Sequence, residues 1–395
     1  MFYADGIHDD TQEIQQLLDS GLSVVELPAT EHCYLISKTL KIHSGQTFKL
    51  GRTTRIKLMD QSNCMMMTNA EVGEAHDIAL EGGIWDFNNL NQLPNPWLGD
   101  HKPTPWHSDG KADTVVKFTD GYLGNIMRFE GVQRLTIKDC VMKDPVTYCI
   151  QLGDVWYFTV ENIQFDMNYG NPQPINMDGV HIDGGCRFGL IRNIQGTCYD
   201  DVVALNANDN HDGPIEDIQV DGVFAEHALR GVRLLSTKSP VRNISIQNIF
   251  GTYYQNGIII GYFYPFSGIR GIFENITLRN IYPSNAPRLP VYRKKPQYSF
   301  AMLHIDGEVD INALQVDGMR RREECGNIEM IYVGKESKIH TLSLEHISQE
   351  NLTGEHFPMI RNEGHIDKLY MQDIDSGTEE KFYNSGTITS TFCTE

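Results

Sequence analysis

Short segments of one pattern recur along most of this chain, and they constrain its fold more than any other feature. In each segment, two or three apolar residues alternate with other residues and are followed by a small or polar residue, usually Asn, Asp or Gly. Successive polar residues of this kind, such as Asp139, Asn162 and Asn193, recur at a nearly regular step. The copies are IALEGGI (78–84), LTIKDCV (135–141), FTVENIQF (158–165), GLIRNI (189–194), IQVDGVF (218–224), ISIQNIF (244–250), ITLRNIY (276–282), LQVDGM (314–319), LSLEHI (342–347) and LYMQDI (369–374).

Short strands at such a step, with no helices between them, indicate a parallel β-solenoid. A single coil cannot bury its apolar face alone, so we expect the coils to stack about 4.8 Å apart around one core. An antiparallel sandwich of short strands is the alternative, but sandwiches rarely repeat the same unit so often. The prediction is an all-β parallel β-helix that forms a single domain over residues 1–395.

The N-terminal segment (residues 1–21) has a different pattern, typical of a short helix. Asp10 is a candidate N-cap with Glu13 shortly after it, and apolar residues recur at helical spacing from Ile14 to Leu18. The first coil of a solenoid exposes unpaired backbone groups and needs a cover. We therefore predict that residues 1–21 form an N-terminal cap, made of a short turn and a helix over residues 9–20.

Two insertions, residues 86–124 and 283–299, interrupt the repeat. Long insertions in a solenoid leave the coil on one side, where they can wall a groove. Aromatic and basic side chains in such loops can stack on sugars or bind acidic groups, although each of them can equally cover the edge of the core or lie in solvent. The residues concerned are Trp97, His101, Trp106 and His107 in the first insertion, and Arg288, Tyr292, Arg293, Lys294, Lys295 and Tyr298 in the second.

Composition excludes several classes of partner. A formal charge of −19 argues against nucleic acid and against a membrane surface, and no apolar run approaches the length of a membrane span. The N-terminus lacks the pattern of a signal peptide, so we expect a cytoplasmic protein, or a secreted or periplasmic one if a signal was removed. The eight cysteines form no CxxC pair or zinc-type spacing, so we expect reduced structural thiols and neither a metal nor a cofactor. Oligomeric state is left open.

Three aspartates are the best candidates for chemistry. Asp178 precedes the pair Asp200 and Asp201 by one step of the repeat, and the pair is followed by the apolar run VVAL. Cleavage of a glycosidic bond needs one carboxyl group to protonate the leaving oxygen and a second to activate water or attack carbon. Repulsion between consecutive carboxylates raises one pKa, which helps one of them to hold a proton. The alternative for an Asp-Asp pair is a solvated turn. Three nearby aspartates adjoin Gly or Asn, and we interpret them as ordinary turn residues: Asp183, Asp209 and Asp212.

These residues resemble the right-handed parallel β-helix glycoside hydrolases of family 28, the polygalacturonases and their relatives. The family motifs N-T-D-G-I and G-D-D-C-I-A-I match residues 176–180 (NMDGV) and 199–205 (YDDVVAL). The resemblance spans roughly residues 4–282. Further matching segments are DGIHDDTQEIQQLLDSG (5–21), GGIWDFN (82–88), GVRL (231–234), and GIII (257–260) followed by Tyr264.

The resemblance implies a mechanism and a set of roles. Asp200 would be the general acid, and Asp178 with Asp201 would activate water in an inverting displacement. Arg233 would contact the sugar at the cleavage point, with Tyr264 beside it. The substrate would be a plant or bacterial poly- or oligosaccharide, for example a pectic one containing galacturonate or rhamnose.

Two departures from the family pattern weaken galacturonate as the sugar. Leu235 occupies the position of the family's R-I-K lysine, with Lys238 nearby, and His211 is only a loose counterpart of the family's G-H-G turn. Arg293 with its basic neighbours, and Trp106, remain candidates for binding the substrate.

Two alternatives keep the fold and change the function. A Ca²⁺-dependent polysaccharide lyase would use Asp178, Asp200 and Asp201 as metal ligands and Arg233 or Lys238 as the base. A carbohydrate-binding β-helix without catalysis would use the same surface to hold a glycan only.

Overall fold

The structure is a computed structural model that describes residues 2–71, 73–96, 122–262, 269–286, 300–377 and 379–394. Its contacts divide the chain into two compact units. The first unit comprises residues 1–200 and 209–212, and the second comprises residues 201–208 and 213–395. That the chain forms a single domain remains a prediction.

The first unit begins with helix α1 (Thr11–Leu18) and continues almost entirely in short strands, with a 3-10 turn at Asn89–Asn91. The strands are β1 (Val24–Leu27), β2 (Tyr34–Ile36), β3 (Leu40–Ile42), β4 (Thr47–Leu50), β5 (Arg55–Leu58), β6 (Met67–Asn69), β7 (Ala75–Glu81), β8 (Ile84–Asp86), β9 (Met127–Glu130), β10 (Val132–Lys138), β11 (Val141–Lys143), β12 (Ile150–Gly153), β13 (Trp156–Asp166), β14 (Val180–Asp183) and β15 (Arg187–Gly196).

The second unit is built from strands that are often longer, because one strand continues around a corner of the coil. They are β16 (Asp201–Asn206), β17 (Ile215–Leu235), β18 (Val241–Gly261), β19 (Gly271–Asn285), β20 (Leu303–Asp306), β21 (Val309–Glu323), β22 (Ile331–Val333), β23 (Lys338–Asn351), β24 (Ile360–Asn362), β25 (His365–Asp375), β26 (Phe382–Asn384) and β27 (Thr387–Thr394).

Strands pair in parallel with the equivalent strand of the next coil. In the first unit, β4, β7, β10, β13 and β15 form one such ladder, and β3, β6, β9, β12 and β14 form another. In the second unit, β17, β18, β19, β21, β23, β25 and β27 form a ladder of the same kind. These parallel pairings confirm the predicted all-β parallel β-helix and exclude the antiparallel sandwich.

The recurring segments occupy equivalent positions on successive strands. Phe158 pairs with Leu135 in the preceding copy of the repeat and with Gly189 in the following copy. In the second unit, Ile218 pairs with Ile244, the corresponding residue of the next copy. The predicted step of the repeat is therefore the step of the coil.

The core consists of stacked rows of aliphatic side chains. Val220, Ile246, Leu278, Val316 and Leu344 follow one another in register and are fully buried. Burial of one such side chain contributes about 1.5–3 kcal/mol before the cost of conformational entropy. The alternating apolar residues of the sequence thus form the same buried layer in each coil.

Helix α1 covers the first coils, as predicted. Ile14 and Leu18 are buried, and the side-chain amide of Gln15 bonds both backbone groups of Lys41 at 2.9 and 3.0 Å. Asp10 is the N-cap residue but makes no capping hydrogen bond; its carboxylate accepts instead from the backbone N–H of Tyr3 at 2.6 Å. Asp10 therefore has the predicted N-cap position but not the side-chain hydrogen bond of a cap, and the helix forms without it.

Within the described residues, no helix has the length and hydrophobicity needed to cross a membrane. Four of the cysteines, Cys140, Cys149, Cys186 and Cys198, are buried. Most of each predicted insertion (residues 97–121 and 287–299) lies outside the described residues, so groove formation by these insertions remains a prediction.

Candidate active site

The loop that leads into strand β14 holds Asp178. The N–H of Cys149 donates to the carbonyl of Asp178, and the N–H of Ile150 donates to that of Gly179, both at 3.0 Å. Val180 then pairs with Ile150 in the parallel ladder. These backbone hydrogen bonds fix the position of Asp178, and its side chain is buried.

The next coil of the chain brings Asp200 to the same place. The N–H groups of Tyr199 and Asp200 both donate to the carbonyl of Met177, at 3.2 and 3.3 Å. The carboxylates of Asp178 and Asp200 each offer an oxygen within 4.8 Å of the other. Asp200 is only half-buried, whereas Asp178 is buried, so the two carboxyl groups have different environments.

A buried histidine supports Asp178. His181 Nδ1 lies 2.7 Å from Asp178 Oδ2, and its Nε2 lies 3.1 Å from Asp183 Oδ1 and 3.3 Å from Asp209 Oδ2. The ring stacks on Tyr148 with centroids 4.1 Å apart. Burial alone would lower the pKa of His181, but hydrogen bonds to the three carboxylates raise its pKa well above the usual value. The raised pKa and the carboxylate oxygens beside both ring nitrogens favour an imidazolium, which can donate from both.

Asp183 is the second anchor of this histidine. It also accepts a hydrogen bond from Gln151 Nε2 at 2.7 Å. Burial would raise the pKa of Asp183, but the hydrogen bond from His181 and the charges of His181 and Arg128 hold it below the usual value. These contacts favour the ionised carboxylate, which shares His181 with Asp178.

The structure corrects the interpretation of Asp183 and Asp209 as ordinary turn residues. Both are buried, and both bond His181. The sequence contains a signal for this: His181 and Asp183 alternate with Val180 and Ile182, so the two polar side chains lie on one face of a strand directly after Asp178. Asp212 is only half-buried, and the structure leaves its interpretation as a turn residue unchanged.

His181, Asp183 and Asp209 also offer ligand atoms within 4.8 Å of one another, as a metal site would. An imidazolium has no free lone pair, so a metal ion could bind here only by displacing the proton of Nε2. The hydrogen bonds and the raised pKa of His181 favour the protonated network.

Asp201 belongs to the second unit, where it opens strand β16. It pairs in register with Arg230, and its carboxylate oxygens lie 3.1 Å from Arg230 Nη1 and 3.4 Å from Arg233 Nη1. Asp201 is buried and each guanidinium is mostly so. The predicted substrate-binding residue Arg233 thus contacts a predicted catalytic carboxylate.

The other predicted binding residues have varied positions. The N–H of Lys238 donates to Asn208 Oδ1 at 2.9 Å, which fixes the backbone of its turn. Leu235 is buried, so the position of the family's lysine contributes to the core. The carbonyl of His211 accepts from the N–H of Gly184, and His211 Nδ1 is a buried atom without a hydrogen-bond partner among the described residues. Three further predicted residues lie outside the described residues: Tyr264, Trp106 and Arg293.

The described start of the first insertion is attached to the loop before Asp178. The N–H of Asn95 donates to the carbonyl of Asn171 at 2.9 Å, and its side-chain amide donates to the carbonyl of Ile175 at 2.8 Å. Tyr122, at the other end of the insertion, donates through its hydroxyl to the carbonyl of Leu93 at 2.7 Å. The ends of this insertion are therefore fixed beside the segment that carries the candidate site.

Comparison with known proteins gives a likeness of structure only. No protein-family model matches the chain, and no curated protein matches it. A family 28 exopolygalacturonase from Yersinia enterocolitica is similar at a TM-score of 0.62 and 12% identity, with 98% of this chain and 76% of that chain covered. PfbA, a surface adhesin of Streptococcus pneumoniae, is similar at a TM-score of 0.60 and 13% identity, with 100% and 90% covered.

A third similar structure is the tailspike protein of E. coli bacteriophage HK620, a mutant solved in complex with a pentasaccharide. Its TM-score is 0.60 at 13% identity, with 98% of this chain and 75% of that chain covered. The three proteins therefore include a glycoside hydrolase, an adhesin and a tailspike that share one architecture. Identity of 12–13% shows the fold alone, and that fold is the parallel β-helix.

Proposed function

We propose that this protein is a glycoside hydrolase that cleaves O-glycosidic bonds of a plant or bacterial poly- or oligosaccharide. The observation that carries the proposal is the Asp178–Asp200 pair, two carboxyl groups with oxygens within 4.8 Å of each other and unequal burial. Glycosidic cleavage needs two carboxyl groups in different protonation states, one as acid and one as base.

The surroundings of each carboxyl group suggest its role. Asp178 accepts a hydrogen bond from the imidazolium of His181, which favours the ionised form and suits a base that polarises water. Asp200 has an oxygen within 4.8 Å of this negative charge, and repulsion between the two carboxyl groups would favour a proton on Asp200 for the leaving oxygen. Asp201 belongs to the second unit, where Arg230 and Arg233 hold its carboxylate.

The stereochemical course we propose is inversion, as the resemblance to family 28 implies. The Asp178–Asp200 oxygens are closer than the roughly 6.5–9.5 Å that usually separates acid and base carboxyl groups in inverting enzymes. This spacing is nearer to the roughly 5–5.5 Å of retaining enzymes, so the proposal of inversion rests on the resemblance alone. Proton NMR of the fresh product, which distinguishes the anomers, tests this point.

A pectic substrate with neutral sugars is favoured over polygalacturonate. The family's lysine position is the buried Leu235, and Arg233 already pairs with Asp201, so fewer cations remain for a uronate carboxylate. The formal charge of −19 also disfavours a polyanionic chain. Polymers of this kind lie outside cells, which favours the secreted or periplasmic alternative over a cytoplasmic location.

The test is a screen of pectic and other plant and bacterial oligosaccharides with product analysis. We expect new reducing ends, no ultraviolet-absorbing unsaturated product, and full activity in the presence of a chelator. An unsaturated product whose formation stops with the chelator would establish the lyase. Binding without any turnover across the panel would establish the non-catalytic alternative.

A further inference from the structure

A continuous row of side chains runs along one ladder of the second unit, beyond Arg233. Parallel pairing places Arg233 of β17 opposite Ile259 of β18, and Ile259 opposite His304 of β20. The row continues with Tyr332 of β22 and Arg361 of β24. Successive members lie about 4.8 Å apart, so His304 follows Arg233 by about 10 Å and Arg361 follows it by about 19 Å.

The far part of this row lines an open cavity of about 500 Å³. Its aromatic wall is ordered: His304 and Tyr332 stack with centroids 4.9 Å apart, and Phe300 meets His304 edge-on at 5.4 Å. Tyr332 is only half-buried, so one side of the stack faces the cavity. Flat aromatic faces of this kind pack well against the C–H face of a sugar ring.

Polar groups surround the aromatic wall. Tyr332 donates through its hydroxyl to Glu363 Oε2 at 3.1 Å, and Arg361 Nε donates to Glu329 Oε2 at 3.3 Å. His304 is 8% exposed, and its Nδ1 is buried without a hydrogen-bond partner among the described residues. A concave surface with a few fixed donors and acceptors beside an aromatic face is the usual form of a small-ligand site.

Charge selects the kind of sugar. The cavity is lined by three carboxylates (Asp306, Glu329 and Glu363) and one guanidinium (Arg361). Negative charge therefore exceeds positive charge there, whether or not His304 carries a proton. A uronate would meet more repulsion than attraction, whereas the hydroxyls of a neutral sugar can donate to the carboxylates and accept from Arg361. We propose that this cavity is a second saccharide-binding site, specific for neutral sugars, on the same row as Arg233.

This site does not depend on hydrolysis. It lies wholly within the second unit, and none of its lining residues belongs to the Asp178–Asp200 pair. A glycan of a few sugars could extend along the row from Arg233 to Arg361. In an enzyme the site would hold a substrate chain, and in a purely binding protein it would hold the glycan itself.

The test measures binding by the full-length Asp200→Asn protein, so that turnover does not consume the probe. The probes are neutral xylo-, galacto- and rhamno-oligosaccharides, with oligogalacturonate as the acidic comparison, and the readout is titration calorimetry. We expect Tyr332→Ala to weaken binding of the best neutral probe by about tenfold or more, because an aromatic anchor is lost. Tyr332→Phe keeps the ring and should lose only a few-fold.

The matched control is Tyr370→Ala, which removes a partly exposed tyrosine of the same unit that stacks on Phe392 instead. This variant should bind the best neutral probe with the same affinity as the Asp200→Asn protein. Arg361→Gln, which keeps amide donors, provides a second test if Tyr332→Ala is poorly folded, and it too should weaken binding. The proposal is overturned if no neutral probe binds, if oligogalacturonate binds better than the neutral probes, or if folded Tyr332 and Arg361 variants bind as well as Tyr370→Ala. Absence of turnover by the wild type with intact binding here would refute only the proposed hydrolysis.

Discussion

At the scale of single residues, His181 determines how the candidate base is held. One imidazolium neutralises part of the charge of Asp178, Asp183 and Asp209, all of them buried. Loss of one partner from a buried charged network costs far more than loss of an exposed one, since the remaining charges stay desolvated. Substitution of His181 should therefore lower the stability of the protein as well as its activity.

We expect His181→Phe to lower the free energy of unfolding by about 3–5 kcal/mol, because it leaves three buried carboxylates without their cation. The variant keeps an aromatic ring to stack on Tyr148. The matched control is His340→Phe, since His340 also lies between two aspartates, Asp310 and Asp367, but is 37% exposed; its loss should cost less than about 1 kcal/mol. Urea denaturation measures both, and equal effects would contradict the proposed network.

The pH dependence of stability follows from the raised pKa of His181. In the unfolded chain a histidine has a pKa of about 6.5, so its contribution to stability is complete below that pH. As the pH rises from there through the raised pKa of the folded state, the contribution is lost. The lowered pKa of Asp183 acts in the opposite direction: its contribution is present above the ordinary aspartate pKa and is lost as the pH falls through the folded value. Wild-type stability should thus fall as the pH rises above the ordinary histidine pKa. His181→Phe should lose the part of that slope that His181 contributes and keep the part due to the raised pKa values of His43 and His346.

At the scale of the strand and its turn, the sequence predicted the structure well. Each repeat ends on a small or polar residue because the backbone there adopts a left-handed conformation, with φ of 55° at Asn162, 60° at Asn248 and 54° at Asn280. Asn, Asp and Gly tolerate this conformation best. The asparagines also bond one another from coil to coil, as Asn280 Nδ2 does with Asn248 Oδ1 at 3.3 Å. The repeat could be recognised from one sequence because both its apolar and its turn positions have a local physical cause.

Asn248→Ala tests this element. Alanine keeps neither the left-handed preference nor the hydrogen bond to Asp221, which is 2.7 Å long, so we expect a loss of about 2 kcal/mol. Asn248→Gly keeps the backbone conformation and loses only the hydrogen bonds, so about 1 kcal/mol is expected. Thermal or urea unfolding compares the two, and an alanine variant as stable as the glycine variant would show that the left-handed turn is not the reason for this residue.

What the sequence did not predict at this scale depends on which side chains hydrogen-bond in the folded chain. Asp10 makes no capping hydrogen bond because its carboxylate accepts from the N–H of Tyr3, a contact that no pattern in the sequence indicates. Asp209 meets His181 only after folding, because the two are far apart in the chain. Asp183 is two residues from His181 on β14, and the alternation of polar and apolar residues there could have indicated the pair. Buried polar networks depend on tertiary packing, so the sequence pattern alone predicts them poorly.

At the scale of the whole molecule, the fold and the candidate site have different kinds of support. The parallel pairings and the similar structures agree on the β-helix, which hydrolases, adhesins and tailspikes all use. The function rests instead on Asp178 and Asp200, which the coil step of the sequence brings together. A direct test must therefore change the chemistry of this pair and leave the fold unchanged.

The decisive measurement is the rate of reducing-end release by Asp200→Asn and by the wild type on the best substrate from the screen. Asp200 is the better choice because Asp178→Asn would also disturb the buried His181 network. Removal of a general acid usually costs about 10²–10⁴-fold in rate, so we expect a loss of that size with an unchanged unfolding transition. Asp166→Asn, which alters a carboxylate that is 61% exposed, should keep the wild-type rate. A folded Asp200→Asn protein that releases reducing ends as fast as the wild type would contradict the assignment of this pair as the catalytic site.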